Sequence, residues 1–167
     1  MTLEPEQLKP DQSVDVKQYH ISILEDLFYL GYANSDKIII YKDPDKNIEI
    51  NATFRTLTPA EHRDIFEYLE NFNSMEAKII AEKMEILARA VRTINDMPLV
   101  LDAGERKQYK DVYGHDPSSL EQARYIIVER IKSVQVIDAL YEAYNEFVTE
   151  VRKSFEDVKK KLKHQKS

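Results

Sequence analysis

The sequence predicts a mainly α fold: a helical domain with a small N-terminal β-hairpin, then a long C-terminal helix. Three observations predict it. Only three glycines and six prolines occur in 167 residues, so little of the chain is barred from helix. Apolar residues recur at spacings of three and four along most of its length. One stretch, Ile48 to Phe54, instead alternates apolar and polar residues as a half-buried strand does. The organisation that follows is a flexible N-terminal arm over 1–17 and a helical domain over 18–116 carrying the hairpin at about 37–57. A long C-terminal helix with a basic tail occupies 117–167.

The arm contains Pro5 and Pro10, which break any helix, and few apolar anchors. Beyond Tyr19, Ile23, Leu24, Leu27, Phe28 and Leu30 share one helical stripe that runs to Gly31, a helix stop. The β-branched run Lys37 to Lys42 and the alternating run Ile48 to Phe54 flank Asp43-Pro44-Asp45-Lys46, where aspartate and proline suit a type I turn. A hairpin alone is marginal in water, so it must lie on a helix.

Thr58-Pro59-Ala60-Glu61 then announces a helix. Thr58 is the N-cap, Pro59 the first helical residue, and Glu61 closes a capping box. Ile65, Phe66, Leu69 and Phe72 form its expected buried face. Asn73 followed by Glu76 repeats the device. The next helix carries a seam of Ile80, Met84, Leu87, Val91 and Ile94, and Asn95-Asp96-Met97-Pro98 ends it. A short helix fits between Asp102 and Tyr113, closed by Gly114. Ser118 and Glu121 form a third capping box, and no glycine or proline follows through to Ser167. Read as one straight helix, about 45 residues span roughly 65–70 Å, which exceeds a small domain. Near its end Tyr141, Tyr144, Val148, Val151, Phe155, Val158 and Leu162 alternate spacings of three and four. That seam for another helix makes them the candidate partner-binding residues.

Charge and composition narrow the function. The net charge is −6, yet residues 159–167, KKKLKHQKS, hold five lysines and no acid. The remainder has 19 basic against 30 acidic residues, a charge of −11 that repels phosphate backbones. The lysines read as a solvated tail suited to the negative end of a helix dipole. With no cysteine there are no disulfides, thiolate metal sites or cysteine nucleophiles, which fits a reducing compartment. The first residues lack the apolar core of a signal peptide, and no apolar run is long enough to span a membrane. A soluble intracellular protein is expected, with neither nucleic acid nor membrane as partner.

Little points to catalysis. His20, His62, His115 and His164 are scattered; Asp111 and His115 have helical spacing for two metal ligands, but Gly114 interrupts them and nothing places a third. His62 beside Glu61 and Asp64 imitates an acid–base cluster, although neighbouring helical positions diverge. There is no phosphate-binding glycine loop, nucleophile elbow or dinucleotide fingerprint. The expectation is a protein that is not an enzyme, with no catalytic residue, metal or cofactor.

The segments FRTLTPAEHRDIFEYLENF, EKMEILARAVRTIND and VIDALYEAYNEFV together resemble the tail assembly chaperones of long-tailed bacteriophages. The similarity runs through Arg55 to Glu61, Leu87 to Asn95 and Leu140 to Tyr144, and covers about residues 20 to 150. ISILEDLFYLGYANSDKIII sits where such proteins carry a helix before their strands. Asp96 departs from the glycine usual after "IN". The resemblance implies non-catalytic binding of a tape-measure protein and of tail-tube subunits in the host cytoplasm during infection, with homo-oligomerisation as a further option. It also implies, as the alternative, a structural tail or baseplate component retained in the virion. Members are commonly made in two lengths by ribosomal frameshifting, for which the codons of Lys159-Lys160-Lys161 are a candidate site.

Overall fold

The computed structural model describes residues 31–165. The expected arm over 1–17 and the apolar stripe up to Leu30 lie outside the described residues. Strand β1 (Ile38–Asp43) and strand β2 (Ile48–Phe54) pair antiparallel, as the hairpin reading expects. The Asp43 carboxylate accepts the amide hydrogens of Asp45 and Lys46, and Asn47 supplies the left-handed residue that closes the loop.

The sheet is larger than a hairpin. After α1 (Pro59–Leu69) and α2 (Met75–Ala90) come β3 (Val91–Ile94) and β4 (Met97–Pro98), giving an antiparallel sheet in the order β1-β2-β3-β4. Val91 and Ile94, expected on the seam of the second helix, belong to β3. Asn95 and Asp96 do more than end a helix. Both have positive φ, 50° and 65°, the signature of a two-residue type I′ turn that folds β4 back onto β3.

The capping predictions are met at α1. Thr58 accepts from the Glu61 amide and Glu61 accepts from the Thr58 amide, with proline in the first turn. At α2 the cap shifts by one residue: Ser74, not Asn73, accepts the Ala77 amide. The expected helix between Asp102 and Tyr113 is α3 (Ala103–Tyr113), capped by Asp102 and closed by Gly114 at φ 81°.

A long C-terminal helix is present, Val134–Gln165, but it does not begin at Ser118 as expected. Ser118 and Glu121 do form a capping box, but they open the short α4 (Ser119–Tyr125). It widens into a π-helical turn, Ile126–Arg130, and ends with the Ile131 amide donating to the Ile126 carbonyl. The chain restarts at Ser133, whose hydroxyl accepts the Val136 amide, and continues as α5 (Val134–Gln165). The break needs neither glycine nor proline. Ile126, Ile127, Val128 and Ile131 are β-branched and only mediocre helix formers, and Ser133 is a competent cap. The 32 residues of α5 give about 48 Å at 1.5 Å per residue, well short of the length expected.

One apolar core joins these elements. Phe54, Leu87, Leu101, Ile127 and Leu140 are fully buried at its centre. Helix α5 lies across β1 and β2, its Tyr144 ring 6.2 Å from that of Phe54. On α1 only Ile65 is fully buried; Leu69 and Phe72 are half-buried and Phe66 is exposed. Among the described residues no helix is long and apolar enough to cross a membrane.

Candidate partner-binding cleft

The junction between β2 and α1 is a structural joint. Arg55, the residue after β2, grips Glu61 with two parallel hydrogen bonds of 2.7 and 2.6 Å while Glu61 serves the helix cap. Burial pushes the Glu61 carboxyl up, but the bonds from Arg55 and Thr58 outweigh it and hold the group below its usual range. Arg55 also stacks over Tyr32 at 5.2 Å. His62 beside it is exposed, and neither Glu61 nor Asp64 bonds to it.

The seven seam residues on α5 differ in burial along the helix. Tyr144 and Val151 are buried in the chain's own core, on a face they share with Ile137, Leu140 and Phe147. Tyr141, Val148 and Val158 are half-buried. Phe155 and Leu162 are exposed, at 45% and 56%. Only the last third of the seam therefore presents an apolar edge to solvent.

A second apolar surface arises where α1, α2, α3 and α4 meet. It is an open cleft of about 580 Å³. Ala77 and Ala81, one turn apart on α2, leave the space, and Ile80 and Met84 flank it. Aromatic pairs with helical i,i+4 spacing form its walls: Tyr68 with Phe72 (rings 5.4 Å apart) and Tyr109 with Tyr113 (4.4 Å). Tyr125 and Val128 complete it from α4 and the π turn. The sequence signal was a small residue repeated at four on one helix beside tyrosines repeated at four on another. The three–four spacing places Ile80 and Met84 on a seam and carries no sign of the tyrosines.

Apart from Glu129 at the rim, the charged groups in the cleft are committed to internal partners. Glu85, 2% exposed, accepts from Arg124 at 2.6 and 3.0 Å and from Arg89 at 2.5 Å. Burial raises its pKa, but the two guanidiniums prevail and the carboxyl stays below its usual value. Arg124 in turn lies over the Tyr68 ring. At the rim, Glu121 accepts from the Tyr109 hydroxyl at 2.6 Å and meets His115 Nε2 at 2.8 Å. These bonds hold the Glu121 carboxyl at about 2, and Glu121 pushes the Tyr109 hydroxyl up to about 12. His115 is raised by the same contact, and so its imidazole serves Glu121. Among the described residues no group of three or more His, Asp or Glu side chains is placed to hold a metal ion.

Comparison with family models, curated proteins and solved structures finds no match.

Proposed function

We propose that this chain is a non-catalytic binding module that receives an amphipathic helix of a partner protein in the aromatic cleft. The observation that carries the reading is the cleft itself: apolar walls from four helices, with most charged groups already committed to internal partners. A small-molecule site needs polar groups left over to orient its ligand. Here Glu85, Arg124, Glu121 and Tyr109 are spent on internal bonds, so what remains to recognise a partner is chiefly apolar shape, as in helix-in-groove binding. General acid–base work at neutral pH calls for groups tuned toward 7. Glu121 at about 2 and Tyr109 at about 12 are tuned away from it.

The resemblance supplies the class of partner. In this reading the chain is a phage tail assembly chaperone, and the helix it holds belongs to the tape-measure protein or to a tube subunit.

Affinity capture from infected cells, with mass spectrometry of what is retained, tests this. Tail proteins should be captured by the wild type and lost with Ile80→Asp, which charges a cleft residue that is 60% exposed and so should leave the fold intact. Thr58→Ala, which removes a cap worth about 1 kcal/mol, should leave capture intact. Capture of no tail protein, or capture indifferent to Ile80→Asp, would remove the reading. Abundance of the chain in purified particles would replace the chaperone role with that of a structural tail component.

A further inference from the structure

We infer that the cleft is also a docking site for the C-terminal end of α5 from a second copy of this chain, so that copies associate head to tail. The inference rests on the helix-in-groove reading above and names a particular helix.

Of the apolar surfaces exposed among the described residues, two are complementary in charge. The first is the cleft. With Glu85 neutralised by Arg89 and Arg124, the lining still carries Glu121 and the exposed, unpaired Glu129 at its rim, and aromatic faces that attract cations. The second is the end of α5. Past Ser154 the core contacts run out. Phe155, Val158 and Leu162 follow one another at three and four, the anchor spacing of a groove-bound helix. Lys159, Lys160, Lys161 and Lys163 cluster about Val158 and Leu162, while Glu156 and Asp157 follow Phe155. Residues 155–165 span about 16 Å of helix. An apolar stripe with lysines about its end thus faces an aromatic cleft with an acidic rim. Residues 1–158 carry a net charge of −11, so this end is the most basic stretch of the chain.

The contact is heterologous: each copy keeps one cleft and one tail unspent, so association propagates into open chains or closes into rings. A partner helix that enters the cleft displaces the neighbour's tail, which ties client capture to disassembly.

The test is sedimentation of the full chain over a concentration series, at low and high salt. Wild type should exceed its 19.6 kDa monomer mass as concentration rises, and salt should weaken the association. Ile80→Asp, in the cleft, and Leu162→Asp, in the tail, each alter an exposed residue, and circular dichroism checks that both remain folded. Each alone should weaken association about tenfold or more. Mixed together, they should form a 1:1 dimer and nothing larger, since the pair retains one intact cleft and one intact tail. A wild type that stays monomeric would overturn the inference, even if a client helix still bound the cleft. So would association surviving both variants, or variants that fail to complement when mixed. Loss of client capture by Ile80→Asp in a monomeric wild type would leave the binding reading standing and remove only the self-docking.

Discussion

Replacing Glu85 with glutamine tests whether the ion cluster beneath the cleft holds the helices together. The substitution preserves volume, so packing is little changed and the effect reports charge. Glu85 is buried and makes three charge-assisted hydrogen bonds, one to Arg89 and two to Arg124. Removing one partner of a buried pair costs about 3–5 kcal/mol, mostly by stranding the other charge. Two features place this case near the lower end. The glutamine oxygen still accepts, and Arg124, whose side chain is 33% exposed, can turn toward water. Arg89 is only 8% exposed and has no such escape. A loss of about 3 kcal/mol is expected, which in a chain of this size lowers Tm by roughly 6–12 °C. Urea denaturation followed by circular dichroism measures it. The pH dependence adds a check. The folded carboxyl lies below its unfolded value, so its contribution is complete above the unfolded pKa of about 4.3 and disappears as pH falls through the folded value. Wild type and variant should therefore converge in acid. A loss under about 1 kcal/mol at neutral pH, with unchanged denaturant dependence, would refute the claim that the cluster is desolvated.

Three further outcomes are expected. Val151→Asp puts an unpaired charge into the core and should cost about 3 kcal/mol or more in urea denaturation, whereas Leu162→Asp should stay within about 0.5 kcal/mol of wild type. His115, observed by NMR titration, should have a raised pKa that drops back in Glu121→Gln. Since the folded value lies above the unfolded one, the pair's contribution is present below about pH 6.5 and lost as pH rises through the folded value. Asp96→Gly places the residue favoured at the second position of a type I′ turn and should stabilise the fold by about 0.5–1 kcal/mol in thermal melts, despite the loss of an exposed ion pair with Lys37.

Signals carried within a few residues were the legible ones. The boxes at Thr58 and Ser118, the Asp43 turn and the Gly114 stop each depend on side chains within one turn of one another, and each appears where its spacing places it. Elements stabilised from a distance were not legible. Val91 and Ile94 continue a helical spacing perfectly well, but Phe54 and Ala52 across the sheet claim them for a strand. Ile131 to Ser133 contains no breaker, and the turn there exists so that α4 and α5 can reach the same core. The cleft was hidden for a similar reason: Tyr109 and Tyr68 lie on separate helices, and only tertiary packing brings them to one site. On α5 the period of the seam was right, but a period does not say which turns of a helix the rest of the chain will cover.

Helix α2 ends at Ala90 and β3 begins at Val91, with no residue between them. A floor element of the cleft and an inner strand of the sheet are thus one continuous backbone. A shift of α2 on seating a client has no slack in which to dissipate and must tug on the ladder between β2 and β3. Amide hydrogens of Thr53 and Thr93, remote from the cleft, should then slow their exchange when the cleft is filled, and the helical and strand halves should melt together as one foldon.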